Sequence, residues 1–160
     1  MNRTIFCFAI ACAALAAAGS RAQIVENPLA RHADSDPANI IPGAWNGADL
    51  EKRSNCTASQ NDGTRGTYAE YDVSFDRTAS ILGIDEIGIT GLRCTYSGTY
   101  GPDRFRPTWN GFYSCTDGKT GNFQATSVLA TPNAMSIRLA IKLTGSETCD
   151  VDAILGGSRF

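Results

Sequence analysis

Histidine is scarce in this chain, and His32 is its single example among 160 residues. A serine or cysteine nucleophile usually needs a histidine base beside it, whereas His32 lies in a polar stretch rich in Pro, Asp and Ala. The sequence also lacks a Gly-x-Ser-x-Gly motif and the glycine patterns of P-loop and dinucleotide-binding folds. These absences exclude the common triad hydrolases, P-loop NTPases and nicotinamide enzymes. We therefore predict no catalytic residue and no cofactor.

Long hydrophobic runs are also absent. The longest covers residues 5–18, which is shorter than the roughly 20 residues that a membrane-spanning helix needs. Arg3 precedes this run and Ser20-Arg21-Ala22 follows it, an arrangement typical of a cleaved signal peptide. We expect residues 1–22 to be a signal peptide and the mature protein to be periplasmic or secreted, without a membrane span. Residues 23–40 have no periodicity and are expected to form a flexible leader.

An excess of positive charge is missing too. The chain has 14 Lys and Arg against 16 Asp and Glu. Cleavage would remove Arg3 and Arg21 and no acid, which changes the net charge from −2 to about −4. An acidic domain does not attract nucleic acid, so we expect no nucleic-acid partner. Because one domain accommodates the mature chain, we expect a monomer.

One block of the sequence occurs twice. Residues 62–68 (Asp-Gly-Thr-Arg-Gly-Thr-Tyr) recur as residues 117–123 (Asp-Gly-Lys-Thr-Gly-Asn-Phe), and the same step of 55 residues carries Cys94 onto Cys149. Similarity at a fixed period indicates one structural unit used twice. We therefore divide a single domain, 41–160, into repeats of about 44–100 and 108–155.

Apolar residues alternate with polar ones in several segments, and no segment keeps a helical period. Tyr71, Val73 and Phe75 would share one face of a strand, with charged residues on the other. Turn signals such as Asp-Gly separate these segments. The predicted strands are about 44–57, 67–75, 80–89, 92–100, 108–116, 122–130, 134–143 and 147–155. The sequence thus predicts an all-β fold, either an up-and-down barrel or a coiled sandwich, with the barrel preferred because it leaves no exposed edge.

Four cysteines follow the signal segment: Cys56, Cys94, Cys115 and Cys149. An even number in an exported protein indicates two disulfides. No pair has the Cys-x2–4-Cys spacing of a zinc site, so no metal is expected. The duplication does not choose among the three possible pairings. Pairing within each repeat needs strongly curled units, and pairing of Cys94 with Cys115 and of Cys56 with Cys149 needs a hairpin and a closed barrel.

The segment 109–121 resembles the motif W-x-G-x-Y-x-C-x-x-G-x-x-G of small exported bacterial β domains without an assigned function. The matching positions are Trp109, Gly111, Tyr113, Cys115, Gly118 and Gly121. Such domains carry a second cysteine near their end, which Cys149 matches. With this resemblance we favour the pairs Cys56–Cys94 and Cys115–Cys149. Gly43-Ala44-Trp45 is similar to the G-x-W motif of calycins, which implies a barrel.

An Arg-rich and aromatic segment joins the two repeats and has no copy. Aromatic and arginine side chains together are typical of interaction surfaces, although Tyr96 and Trp109 are equally compatible with a core. The predicted binding residues are Arg93, Tyr96, Tyr100, Arg104, Phe105, Arg106 and Trp109. The favoured function is a non-catalytic binding module whose loop 101–107 contacts an envelope or extracellular protein, as an inhibitor or adaptor would, or a glycan.

Two other functions remain open. A calycin-like carrier of a small apolar ligand would have an interior cavity lined by Tyr, Trp and aliphatic residues. A carboxylate-based hydrolase would need Glu70, Asp72 or Asp85 in a cleft. The alternation instead places Glu70, Asp72 and Asp76, with Asp85-Glu86 on the next strand, on a solvated outer face.

Overall fold

The computed structural model describes residues 36–103 and 106–159, and within them the chain forms a closed antiparallel barrel of eight strands. Each strand pairs with its neighbours in the chain, and the last pairs with the first. The predicted up-and-down barrel is therefore confirmed. The strands are β1 (Gly43–Ser54), β2 (Gly63–Asp76), β3 (Ile81–Gly88), β4 (Arg93–Gly101), β5 (Thr108–Cys115), β6 (Lys119–Thr131), β7 (Ala134–Gly145) and β8 (Cys149–Ser158).

The sequence repeat is also visible in the boundaries of the strands. The 55-residue step carries both ends of β2, β3 and β4 onto those of β6, β7 and β8 to within two residues. The predicted signal peptide and residues 23–35 of the predicted leader lie outside the described residues. No helix within the described ranges is long and apolar enough to cross a membrane.

One end of the barrel is closed by the residues that precede β1. A short 3₁₀ helix, Pro37–Asn39, buries Ala38 against the core. The indole Nε1 of Trp45 donates to the Ile41 carbonyl oxygen at 2.7 Å, and the Tyr100 hydroxyl donates to Asp36 Oδ1 at 2.7 Å. Residues 36–40 therefore belong to the folded domain, and this part of the leader prediction was wrong.

The two disulfides lie at the opposite end of the barrel. They join Cys56 to Cys149 and Cys94 to Cys115, so the favoured pairing within each repeat was wrong and the hairpin alternative is correct. Cys94 and Cys115 face each other across β4 and β5 in direct register. Closure brings β1 beside β8, whereas β1 and β4 stay three strands apart, beyond the reach of a disulfide. Two disulfides are consistent with an oxidising compartment.

Glycines allow unusually close approach of paired backbones at several seams of the barrel. A Cβ at Gly47 on β1 would lie 1.8 Å from the Gly156 carbonyl oxygen on β8, and a Cβ at Gly111 on β5 would lie 2.1 Å from the Ser97 carbonyl oxygen on β4. The β1–β8 and β4–β5 seams occupy equivalent places in the two repeats, and each also carries a disulfide. A close glycine contact and a disulfide thus occur together at both junctions between the repeats, whereas the close approach of Gly121 on β6 to the Lys142 carbonyl oxygen on β7 has no disulfide beside it.

Gly47→Ala is expected to lower the free energy of unfolding by about 3 kcal/mol, because the new methyl group must push apart two paired backbones. Gly66→Ala is the matched control, since its Cβ would meet Leu50 Cδ1 at an ordinary 3.6 Å. We expect the control to stay within about 1 kcal/mol of the wild type. Urea unfolding followed by circular dichroism measures both, and equal losses would contradict the seam geometry.

Candidate functional site

Four charged side chains point into the barrel near its disulfide-bonded end. Asp49, Glu51 and Arg53 alternate along β1 in phase with the buried Trp45, and Glu86 follows the buried Leu82 and Ile84 on β3. All four are buried, with between 5% and 8% of their surface exposed. Charged groups are almost never buried unless they are paired, so the partner of each one has to be found.

Arg53 and Glu51 satisfy each other. Arg53 donates from Nε and Nη2 to Glu51 Oε2 at 2.7 and 2.5 Å. Its Nη1 also reaches Glu147 Oε2 at 3.3 Å, and Asn61 Nδ2 donates to Glu147 Oε1 at 2.5 Å. The guanidinium is therefore shared between two carboxylates, and the loop containing Asn61 is tied to the turn between β7 and β8.

Asp49 and Glu86 have no such cation. Asp49 Oδ1 is buried and accepts no hydrogen bond from any described residue, while Glu86 Oε2 accepts one from the Tyr96 hydroxyl at 3.1 Å. Burial, reinforced by Glu51 and Glu86 and only partly opposed by the charge of Arg53, raises the pKa of Asp49 to about 8. Burial also raises the pKa of Glu86 to about 7, against the opposing hydrogen bond from Tyr96. Both carboxyls therefore titrate near neutral pH.

Tyrosine side chains surround this polar cluster. Tyr71 is buried, and its hydroxyl has no partner among the described residues. The Tyr113 hydroxyl lies 3.5 Å from Cys94 Sγ and 2.7 Å from Cys115 Sγ, and since disulfide sulfurs carry no hydrogen, the hydroxyl must donate. The rings of Tyr96 and Tyr113 are 4.8 Å apart. The cluster thus combines acidic groups with aromatic faces.

A cavity of about 310 Å³ opens from the cluster toward the disulfide-bonded end, near the lower limit of small-molecule sites. Its inner part holds Asp49, Glu51, Arg53 and Glu86, and its rim carries the cations Arg65 and Lys119. Its other lining residues are Gly66, Thr67, Gly88, Thr90, Leu92, Cys94 and Tyr113. We call this cavity the mouth.

The second repeat builds the same strands without these charges. Aligning Trp45 and Gly47 on β1 with Trp109 and Gly111 on β5 places Tyr113 at the position of Asp49. The 55-residue step likewise places Ile141 at the position of Glu86. Tyr113 and Ile141 are buried in the core. The equivalent strands of the second repeat therefore form without charged interior residues, and the four buried charges of the mouth all come from the first repeat.

The predicted binding patch does not form one surface. Tyr96, Tyr100 and Trp109 are buried, with 0–1% of their surface exposed, because the alternation on β4 and β5 directs them inward. Arg93 and Arg106 are exposed, and Arg104 and Phe105 lie outside the described residues. As surface contacts, the three aromatics were wrongly predicted, and the alternative that Tyr96 and Trp109 are core residues is correct.

The predicted carboxylate face lies outside the barrel. Glu70, Asp72, Asp76 and Asp85 are exposed on β2 and β3. Glu70, Asp72 and Asp85 border an open groove of about 910 Å³ that also includes Arg93. Of the five acids considered from the sequence, only Glu86 points inward. The adjacent residues Asp85 and Glu86 thus lie on opposite faces of β3.

Sequence reasoning missed Asp49, Glu51 and Arg53. A signal was present, because each lies an even number of residues from Trp45 and so shares its face of the strand. The usual rule that charges lie outside led away from this interpretation.

No protein-family model matches the chain, and no curated protein is significantly similar to it. Among solved structures, the chain is similar to a de novo designed, fluorescence-activating β-barrel. The identity is 13% and the TM-score 0.44, with 78% of this chain and 99% of the designed chain covered.

Proposed function

We propose that this protein is an exported, non-catalytic binding protein that holds a small polar molecule in the mouth of its barrel. The observation that carries the proposal is a cavity of about 310 Å³, lined by buried charges that the second repeat does not have. Buried charges are costly to a fold, and the second repeat builds the equivalent strands without them. Binding of a polar ligand would account for the retention of these charges.

This proposal changes two of the expectations drawn from the sequence. The predicted contact surface around loop 101–107 loses Tyr96, Tyr100 and Trp109 to the core, so an interior ligand replaces the protein or glycan partner. An apolar cargo would need an apolar lining, whereas Asp49, Glu51, Arg53 and Glu86 line this cavity. The closed opposite end, capped by Ala38 and Ile41, makes the disulfide-bonded end the entrance.

A nuclear magnetic resonance screen of several hundred small polar molecules tests the proposal. Ligands are expected to shift the backbone amides of Thr67, Gly88 and Leu92 at the mouth and to leave the indole N–H of Trp45 at the closed end unchanged. A library in which no molecule shifts the mouth amides would contradict the proposal.

Thr67→Trp tests the entrance itself, because Thr67 is an exposed residue of the mouth lining. The indole should obstruct the cavity and weaken any ligand found in the screen at least tenfold. Thr99→Trp, on the outer face of β4, is the matched control and should leave the affinity unchanged. Equal affinities in both variants would place the ligand elsewhere.

A further inference from the structure

We propose that the ligand of the mouth is a small organic cation, such as a primary or quaternary ammonium compound, and that Asp49 is its counter-ion. This inference rests on the proposed function and names the chemical class of the ligand. Asp49 Oδ1 is buried and without a hydrogen-bond partner among the described residues, and the side chain lines the cavity.

The cations that line the mouth are already committed to other partners: at the rim, Lys119 pairs with Asp117 and Arg65 donates to Asn61. Arg53 is four residues along the same strand, but its guanidinium donates to Glu51 and Glu147. The groups that interact electrostatically with Asp49 from the other strands are Glu86 on β3 and the tyrosines of β2, β4 and β5, namely Tyr71, Tyr96 and Tyr113. None of these can be positively charged. A buried carboxylate with acidic and aromatic neighbours calls for a cation from outside.

An organic cation fits this site better than a metal ion. A metal needs several ligand atoms around one point. Within the described residues, Asp49, Glu51 and Glu86 do not bring one oxygen each within 4.8 Å of one another, and the trio that does, Cys56, Glu147 and Cys149, includes a disulfide. The cavity of about 310 Å³ also exceeds the needs of an ion. Its Tyr113 ring offers an aromatic face that attracts ammonium groups.

Because the pKa of Asp49 is raised to about 8, binding of a cation is coupled to the release of a proton. Near neutral pH the ligand-free carboxyl keeps its proton, and an arriving ammonium group takes the place of that proton, which leaves to solvent. No covalent bond other than the O–H bond breaks. Affinity is therefore expected to fall by up to tenfold for each pH unit below 8.

Isothermal titration at pH 8.5 with three matched pairs of probes tests the inference. The cations are n-butylamine, 2-phenylethylamine and choline, and their neutral isosteres are n-butanol, 2-phenylethanol and 3,3-dimethylbutanol. We expect at least one cation to bind ten times more tightly than its isostere. Asp49→Asn should abolish that preference, and Asp72→Asn, which removes an exposed carboxylate on β2, should preserve it.

The outcomes separate the two proposals. If neutral probes shift the mouth amides and no cation gains affinity, the counter-ion role is wrong while the binding function survives. A preference that persists in Asp49→Asn also overturns the role of Asp49. If neither cations nor isosteres reach the mouth, the counter-ion role is wrong, and both proposals fail if the larger screen also finds no molecule that shifts the mouth amides. Near-ultraviolet circular dichroism confirms that each variant is folded.

Discussion

Asp49→Asn is expected to stabilise the protein at pH 8, by on the order of 5 kcal/mol more than at pH 3. The carboxyl is 6% exposed, and its pKa rises from the ordinary 3.8 to about 8 on folding, mainly through burial and then through Glu51 and Glu86. An asparagine of the same shape carries no charge at any pH. The substitution therefore removes a penalty that only the ionised acid experiences.

The sign follows from proton binding. Between pH 4 and pH 8 the folded protein keeps the Asp49 proton and the unfolded chain has lost it, so the wild type loses stability as pH rises across that window. Below about pH 4 both states are protonated and the variant has no advantage from this source. The difference in the free energy of unfolding between variant and wild type should thus increase from pH 4 upward and become constant above pH 8.

Urea unfolding at pH 3, 5, 7 and 8.5 measures this difference. Asp72→Asn is the control, because Asp72 lies exposed on the outer face of β2, and it should stay within about 0.5 kcal/mol of the wild type. A constant difference between Asp49→Asn and the wild type at all four pH values would contradict the buried, uncompensated carboxyl. A ligand-free protein that becomes more stable when a site residue is neutralised is the usual signature of function held against stability.

Replacing both Cys56 and Cys149 by serine is expected to lower the free energy of unfolding by about 4 to 5 kcal/mol. This bridge spans a sequence separation of 93 residues and fastens the strands that close the barrel. Without it, the unfolded chain gains the freedom of a very long loop. A small domain has only about 5 to 15 kcal/mol of stability, so much of it would be lost.

The second bridge provides the comparison. Cys94 and Cys115 are separated by 21 residues, and their replacement by serine should lower stability by about 3 kcal/mol. Urea unfolding of both double variants gives the ranking directly. A larger loss from the shorter loop would show that the β4–β5 seam, and not chain closure, dominates the stability of the barrel.

Much of the fold was predictable because it depends on local alternation. Turn glycines and the two-residue period of segments such as 134–143 specify strands, and the repeat specifies how often the unit occurs. The cysteine pairing was not predictable in the same way. It depends on the closure between β1 and β8, which is a contact between the two ends of the domain that no local pattern encodes.

The candidate site was less predictable than the fold. Asp49 and Glu51 have the spacing of inward residues, but composition assigns charges to the surface, and the two rules conflict. In the structure both residues point inward, as their spacing predicts. The place where alternation and charge disagree is therefore the candidate site. Tyr100 illustrates the reverse case, since an aromatic residue beside arginines looked like a surface contact and is core.

The carbon-13 chemical shift of the Asp49 carboxyl, followed from pH 4 to pH 10, tests the central claim most directly. In the free protein we expect a midpoint near 8, as burial beside Glu51 and Glu86 implies. Saturation with the tightest-binding ammonium probe should move the midpoint down by at least one unit, because the cation stabilises the ionised carboxylate. A midpoint near 4 in the free protein, or one that no cation moves, would contradict a mouth built around an unpaired acid.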